Sequence, residues 1–136
     1  MVMKLKKNSL RQHLNDNFDL LNWKNKSIML QSISYGLKDI HDCGLIHHDF
    51  HCGNLLSGFD INEGIYTTDL GLCQPANAES SQSGNKKIYG VLSYVAPEVL
   101  RGKEYTQASD IYGLGIIAYE ICTGLPPYHD VAHDEF

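Results

Sequence analysis

The sequence predicts an α+β fold that is mainly helical, with one short β-hairpin near its middle. Three stretches carry that prediction. Apolar side chains at Met29, Ile33, Leu37 and Ile40 recur at helical spacing between about Trp23 and Cys43. A second long segment, "DIYGLGIIAYEICTG", is apolar almost throughout. Between them the short runs "NLL" and "GIYTT" bracket "SGFDINEG", whose Gly, Asn and Asp residues suit a tight turn.

Taken in order, "MVM" reads as the end of a strand, and "SLRQHL" as a short helix with Ser9 as its N-cap and Leu10 and Leu14 one turn apart. The next helix fills about Trp23 to Cys43, with Gly44 as its stop. The hairpin follows. Residues 74–88, "QPANAESSQSGNKKI", are polar and lack apolar periodicity, so they form a long loop of the kind that is usually either functional or disordered. Pro97 opens one or two helical turns in "PEVLRG", closed by Gly102. Thr106 and Ser109 can cap the last helix, which has so little polar face that it should be buried all round. Gly113 and Gly115 lower its helicity but permit close approach by another backbone.

Composition excludes several classes. With 43% hydrophobic and 20% charged residues, the 136-residue chain is of ordinary globular make-up. Residues 1–26 hold six of the eleven Lys and Arg against two of the sixteen acids, giving a short basic end without interleaved aromatics. It reads as a solvated face, not a nucleic-acid site. No apolar run is long enough to span a membrane, and the longest contains Glu120. Cys43, Cys52, Cys73 and Cys122 form no C-x-x-C pair, and no secretory signal precedes them, which favours a reduced, intracellular (cytoplasmic) chain.

The chemistry concentrates in "LIHHDFHCGNLL". Asp49 and Asn54 form H-x-D-x-x-x-x-N in the loop between the long helix and the hairpin. After the second hairpin run, "TDLG" puts Asp69 at a strand–turn junction. Antiparallel strands would bring Asn54 and Asp69 close, and two oxygen ligands there suit Mg²⁺. Asp49 beside them could orient a hydroxyl and accept its proton. A zinc site from Cys43, His47, His48, His51 and Cys52 matches no familiar ligand spacing.

With these residues in order, the chain resembles the C-terminal lobe of a protein kinase along almost its whole length. "HHD....N" stands in place of the catalytic loop, "DLG" in place of D-F-G, and "APE" (Ala96, Pro97, Glu98) closes the activation segment. "GVLSYVAPE" and "RGKEYTQASDIYGLGIIAYEICTGLPPY" resemble the tyrosine-kinase-like group. The resemblance implies a protein kinase-like (α+β) fold, here a mainly α-helical partial C-terminal lobe with a short catalytic-loop β-hairpin. It implies one partial domain over 1–136, with the hinge in 1–7 and the catalytic loop and DLG within 8–73. The activation segment would occupy 74–98, and the region of the central helix 99–136.

It also implies roles. Asp49 would be the catalytic base, Asn54 and Asp69 the Mg²⁺ ligands, and Met3, Lys4, Leu5 and Lys6 the hinge backbone that meets the adenine of ATP. His47 would pack beneath the loop against Leu70, and Asp110 would hold the loop's backbone. Ser80, Ser81, Ser83 and Tyr89 would be candidate phosphosites. The acceptor would be a protein hydroxyl, by default Ser or Thr.

Some residues depart from that pattern. His48 replaces an arginine that pairs with activation-segment phosphate, so phosphate control should weaken. His51 replaces a lysine that neutralises the transferring phosphoryl group, Val91 replaces a threonine, and Leu70 a phenylalanine. Glu98 lacks the arginine that the family supplies. No Gly-rich phosphate loop or accompanying lysine and glutamate occurs in these residues, so the polypeptide alone should be inactive, a piece of a longer kinase or a decayed copy. The rival readings are a non-catalytic, pseudokinase-like interaction module and a small-molecule phosphotransferase. The second shares H-x-D-x-x-x-x-N but lacks the "APE" and "DIYGLG" segments.

Overall fold

A computed structural model describes residues 8–58, 60, 63–77 and 91–131. Helix α1 (Leu10–Asn17) starts where the Ser9 side chain accepts from the Gln12 N–H, and it buries Leu10 and Leu14. Helix α2 (Trp23–Asp42) opens on a reciprocal capping box between Asn22 and Asn25. It buries Met29, Ile33 and Leu37, spaced at four residues and therefore on one face. It ends at Gly44, whose φ of +72° is the left-handed conformation that glycine adopts without a Cβ penalty.

Strands β3 (Leu55–Ser57) and β4 (Ile65–Thr67) form the antiparallel hairpin, with Leu55 opposite Thr67 and Ser57 opposite Ile65. A two-residue strand, β1 (Asn8–Ser9), pairs with the free edge of β3, giving the order β1-β3-β4. A second small ladder joins β2 (Leu45–Ile46) to β5 (Gln74–Pro75). Neither β1 nor β5 was predicted, since two-residue strands carry no alternating pattern. The second ladder ties the start of the polar 74–88 segment to the exit of α2, reinforced by the Ala76 N–H bond to the Gly44 carbonyl at 2.7 Å. "MVM" lies outside the described residues.

Helix α3 (Pro97–Leu100) has Pro97 at its first turn, and Gly102 follows with φ +86°. Helix α4 (Gln107–Thr123) carries a full capping box between Thr106 and Ser109 and closes on Gly124. It crosses the core, where Ile117 and Ile121 pack with Leu10, Leu14, Ile33 and Leu55. The expectation of burial all round is corrected. Ile111 is 51% and Tyr119 41% exposed, because α2, the loop after β2 and the Leu92–Tyr94 turn cover only one side among the described residues. The buried side holds Ser109, Asp110, Gly113 and Glu120, so α4 carries polar groups inward.

Gly113 is where the loop after β2 comes closest to α4. A Cβ there would lie 2.8 Å from the Phe50 carbonyl oxygen, whereas one at Gly115 would meet nothing within 4 Å. Gly113→Ala should therefore destabilise the chain by about 1–3 kcal/mol, while Gly115→Ala should stabilise it by up to about 1 kcal/mol through helix propensity. Urea unfolding of the two variants side by side checks both signs.

Candidate active site

The loop from His47 to Asn54 is held from below by one carboxylate. Asp110, 3% exposed on the first turn of α4, accepts the His47 N–H at 2.7 Å and the His48 N–H at 3.1 Å. His41, in the last turn of α2, brings its Nε2 to the same carboxylate at 2.9 Å. Three donors offset the cost of burying the charge. His48 has φ +74°, an uncommon conformation for a residue with a Cβ, and its ring stacks on Tyr105 at 4.6 Å.

His47 is fully buried and uses both ring nitrogens. Nδ1 accepts the Asp49 N–H at 3.2 Å, and Nε2 stands 3.1 Å from the Thr68 carbonyl, so the neutral ring carries its proton on Nε2. The ring meets Phe50 edge-on at 5.4 Å. Leu70, expected as its packing partner, is instead 54% exposed. Beginning a 3₁₀ turn directly after Asp69, Leu70 points its bulk outward.

Asp49 is nearly enclosed. Its Oδ2 accepts from Asn54 Nδ2 at 3.0 Å, and the same Nδ2 donates to the Asp49 carbonyl at 2.8 Å. His51 Nε2 lies 3.1 Å from the other carboxylate oxygen, Oδ1. His51 Nδ1 accepts the Gly53 N–H at 3.0 Å, which leaves the proton of a neutral ring on Nε2; no hydrogen bond joins Nε2 to Oδ1, which is buried without a hydrogen-bond partner. Asp49 helps line a small cleft of about 20 Å³, together with His48, Phe50, Asp110 and the Tyr94–Ala96 end of the 74–98 segment.

The hairpin sets the remaining oxygen ligands. Thr68 donates to the Asn54 carbonyl through both its N–H and its hydroxyl, each at 2.9 Å, so Asp69 follows directly on the residue opposite Asn54. Asp69 is exposed and left-handed, at φ 56°. With Nδ2 committed to Asp49, Asn54 keeps its amide oxygen for a ligand. An amide oxygen and an exposed carboxylate on adjoining strand ends fit a hard cation that retains water. Among the described residues no group of three or more His, Cys, Asp or Glu side chains is placed to hold a metal. Burial, then the Asp110 and Asp69 charges, push the nearby Cys73 thiol up.

Glu98 sits on α3, outside the cleft, and its side chain makes no ion pair among the described residues. Met3, Lys4, Leu5, Lys6, Ser80, Ser81, Ser83 and Tyr89 lie outside the described residues. The sequence reading missed His41, Tyr105 and a buried cluster around Glu120. A glutamate inside an apolar helix was the available signal, since a buried charge requires a partner.

The loop is thus strapped to the inner face of α4, with a carboxylate, an amide and a second carboxylate at its rim. The chain belongs to the protein kinase domain family, whose model matches residues 1–136. It is 41% identical over 93 residues to the serine/threonine-protein kinase ste20 of Aspergillus fumigatus, covering 68% of this chain and 11% of that protein. It is 36% identical over 101 residues to the serine/threonine-protein kinase PknA of Corynebacterium glutamicum, covering 74% and 21%. With the probable serine/threonine-protein kinase roco5 of Dictyostelium discoideum it shares 30% over 132 residues, covering 94% and 5%. The chain spans about a tenth of the length of the ste20 relatives. No described helix is long and apolar enough to cross a membrane.

Burial lowers the His48 pKa from 6.5, opposed by the Asp110 charge and assisted by His47. A depressed histidine binds fewer protons folded than unfolded, so its contribution is present above about pH 6.5 and is lost as pH falls through the folded value. His48→Gln should flatten the loss of stability between about pH 7.5 and about pH 5.5, read as urea midpoints at the two pH values.

Proposed function

We propose that these residues form part of a kinase that transfers phosphate from ATP to protein hydroxyls, with serine or threonine as acceptor. The observation that carries this reading is the Asp49 carboxylate, which stands between Asn54 and His51 with one oxygen bonded to Asn54 and the other without a hydrogen-bond partner. In this role Asp49 orients the acceptor hydroxyl and takes its proton. Asn54 and Asp69 would hold Mg²⁺, whose charge would neutralise the phosphates of the nucleotide. Met3, Lys4, Leu5 and Lys6 would meet the adenine, and Ser80, Ser81, Ser83 and Tyr89 would be phosphate acceptors within the activation segment. Asp110 would keep the loop's backbone in register with the acceptor.

The names of these relatives support serine/threonine chemistry. They do not carry the tyrosine-kinase-like assignment, which rests on the "GVLSYVAPE" stretch and the residues after it. The 136 residues bring the acid–base loop and the acceptor-facing wall but no Gly-rich phosphate loop. We read them as the acceptor half of a protein kinase, working with a phosphate-binding half and further C-terminal segments from a longer product, in the cytoplasm.

The purified 136-residue chain should show no Mg²⁺-dependent ATP turnover. Joined to a kinase ATP-binding half, it should phosphorylate a serine/threonine substrate mixture, and Asp49→Asn should lower that rate by about 10²–10⁴-fold. Radiolabelled phosphate incorporation measures both. Turnover by the isolated chain that Asp49→Asn abolishes, or full activity of Asp49→Asn in the joined protein, would contradict the reading.

A further inference from the structure

Glu120 takes no part in the proposed reaction, yet four segments of the chain meet on it. It is 0% exposed. Arg11 of α1 donates Nη1 to Glu120 Oε2 and Nη2 to the Gly124 carbonyl at 3.1 Å. The Tyr94 hydroxyl donates to Oε1. The buried Cys52 thiol, next to His51, lies close enough to feel this carboxylate: burial first and then the Glu120 charge push it up. Desolvation raises the Glu120 carboxyl, and Arg11 acts against that. Removing one partner from such a cluster leaves a buried polar group unsatisfied, so the members hold one another in place.

The fixed hydroxyl has a consequence for the tyrosine ring. Tyr94 lies with its ring 5.7 Å from that of His51, tilted by 48°. One hydrogen bond, from the Gly53 N–H to Nδ1, selects the His51 tautomer but leaves the ring free to swing about its Cβ–Cγ bond. An aromatic neighbour at fixed distance restricts that swing. Gly53 itself makes room, since a Cβ there would lie 2.7 Å from His51 Cε1. The restricted ring presents Nε2 to Asp49 Oδ1 at 3.1 Å.

We propose that Tyr94, anchored through its hydroxyl to the Glu120–Arg11 pair, is a positioning residue that confines the His51 ring beside Asp49, where the Gly53 N–H keeps it in its Nε2–H tautomer. The significance for catalysis rests on the role given above to Asp49. The geometry links the end of the 74–98 segment to the His51 ring beside Asp49, so a shift of Tyr94 is felt at His51.

The test uses the 136-residue chain with ring-¹⁵N histidine and long-range ¹H–¹⁵N correlation, His51 being assigned by loss of its signals in His51→Gln. The wild type should show well-separated Nδ1 and Nε2 signals of one Nε2–H tautomer. Tyr94→Phe, which keeps the ring and loses only the anchor, should draw the two signals toward each other, and Tyr94→Leu should do so further. The His47 signals, fixed by Thr68 and Asp49, should stay put and report an intact fold. His51 signals that are unmoved in Tyr94→Phe, or a wild-type tautomer other than Nε2–H, would overturn the proposal. Because the readout needs no phosphoryl transfer, its outcome is independent of the kinase activity assay.

Discussion

The Asp110 carboxylate is the constraint from which the site is built. It stands on the capped first turn of α4 and accepts two consecutive backbone N–H groups of the loop after β2. Directly after these two amides the chain turns at His48, in the left-handed region. The turn aims the His47 ring down toward Thr68 and leaves Asp49 at the cleft. Gly113, one turn further along α4, lets the Phe50 carbonyl approach the helix closely enough for those bonds to form. A helix of apolar sequence thus gains its purpose from a few polar or small residues on its inner face.

From Asp110 outward, three of the candidate side chains are held by groups committed elsewhere. His47 is fixed by Thr68 and the Asp49 N–H, Asn54 by Asp49 and the hairpin, and His51 by Gly53 and Tyr94. Fixing donors before a substrate arrives is what makes electrostatic stabilisation effective in phosphoryl transfer. The apolar core beneath is ordinary, and its contribution is rigidity: Leu10, Ile33, Leu55 and Ile117 lock α1, α2, the hairpin and α4 together.

Much of this was legible in the sequence. Helices α1, α2 and α4 announce themselves through periodicity and through caps at Ser9, Thr106 and Ser109, which act over three residues. The hairpin follows from its turn residues, and its register brings Asp69 beside Asn54. The order of Asp49, Asn54, Asp69 and Asp110 was readable through likeness to a family. Strands β1 and β5 were not readable, being two residues long and made by backbone alone. The Arg11–Glu120 pair spans 109 residues, and no local pattern encodes such a meeting. The direction of the His51 ring was equally hidden, because it depends on Gly53 and Tyr94 from different segments. The two-sided character of α4 escaped because a nearly uniform apolar helix gives no sign of which face is covered.

The most direct measurement of this account is amide hydrogen exchange at His47 and His48 in Asp110→Asn. An asparagine keeps one acceptor oxygen and turns an NH₂ toward the second amide, so one bond is lost and the other weakened. Protection at both amides should fall by about 100-fold, corresponding to roughly 3 kcal/mol. The amides of Ile33 and Leu37 within α2 should keep theirs. Unchanged protection at His47 and His48 would show that the loop holds its shape without Asp110 and would contradict the account.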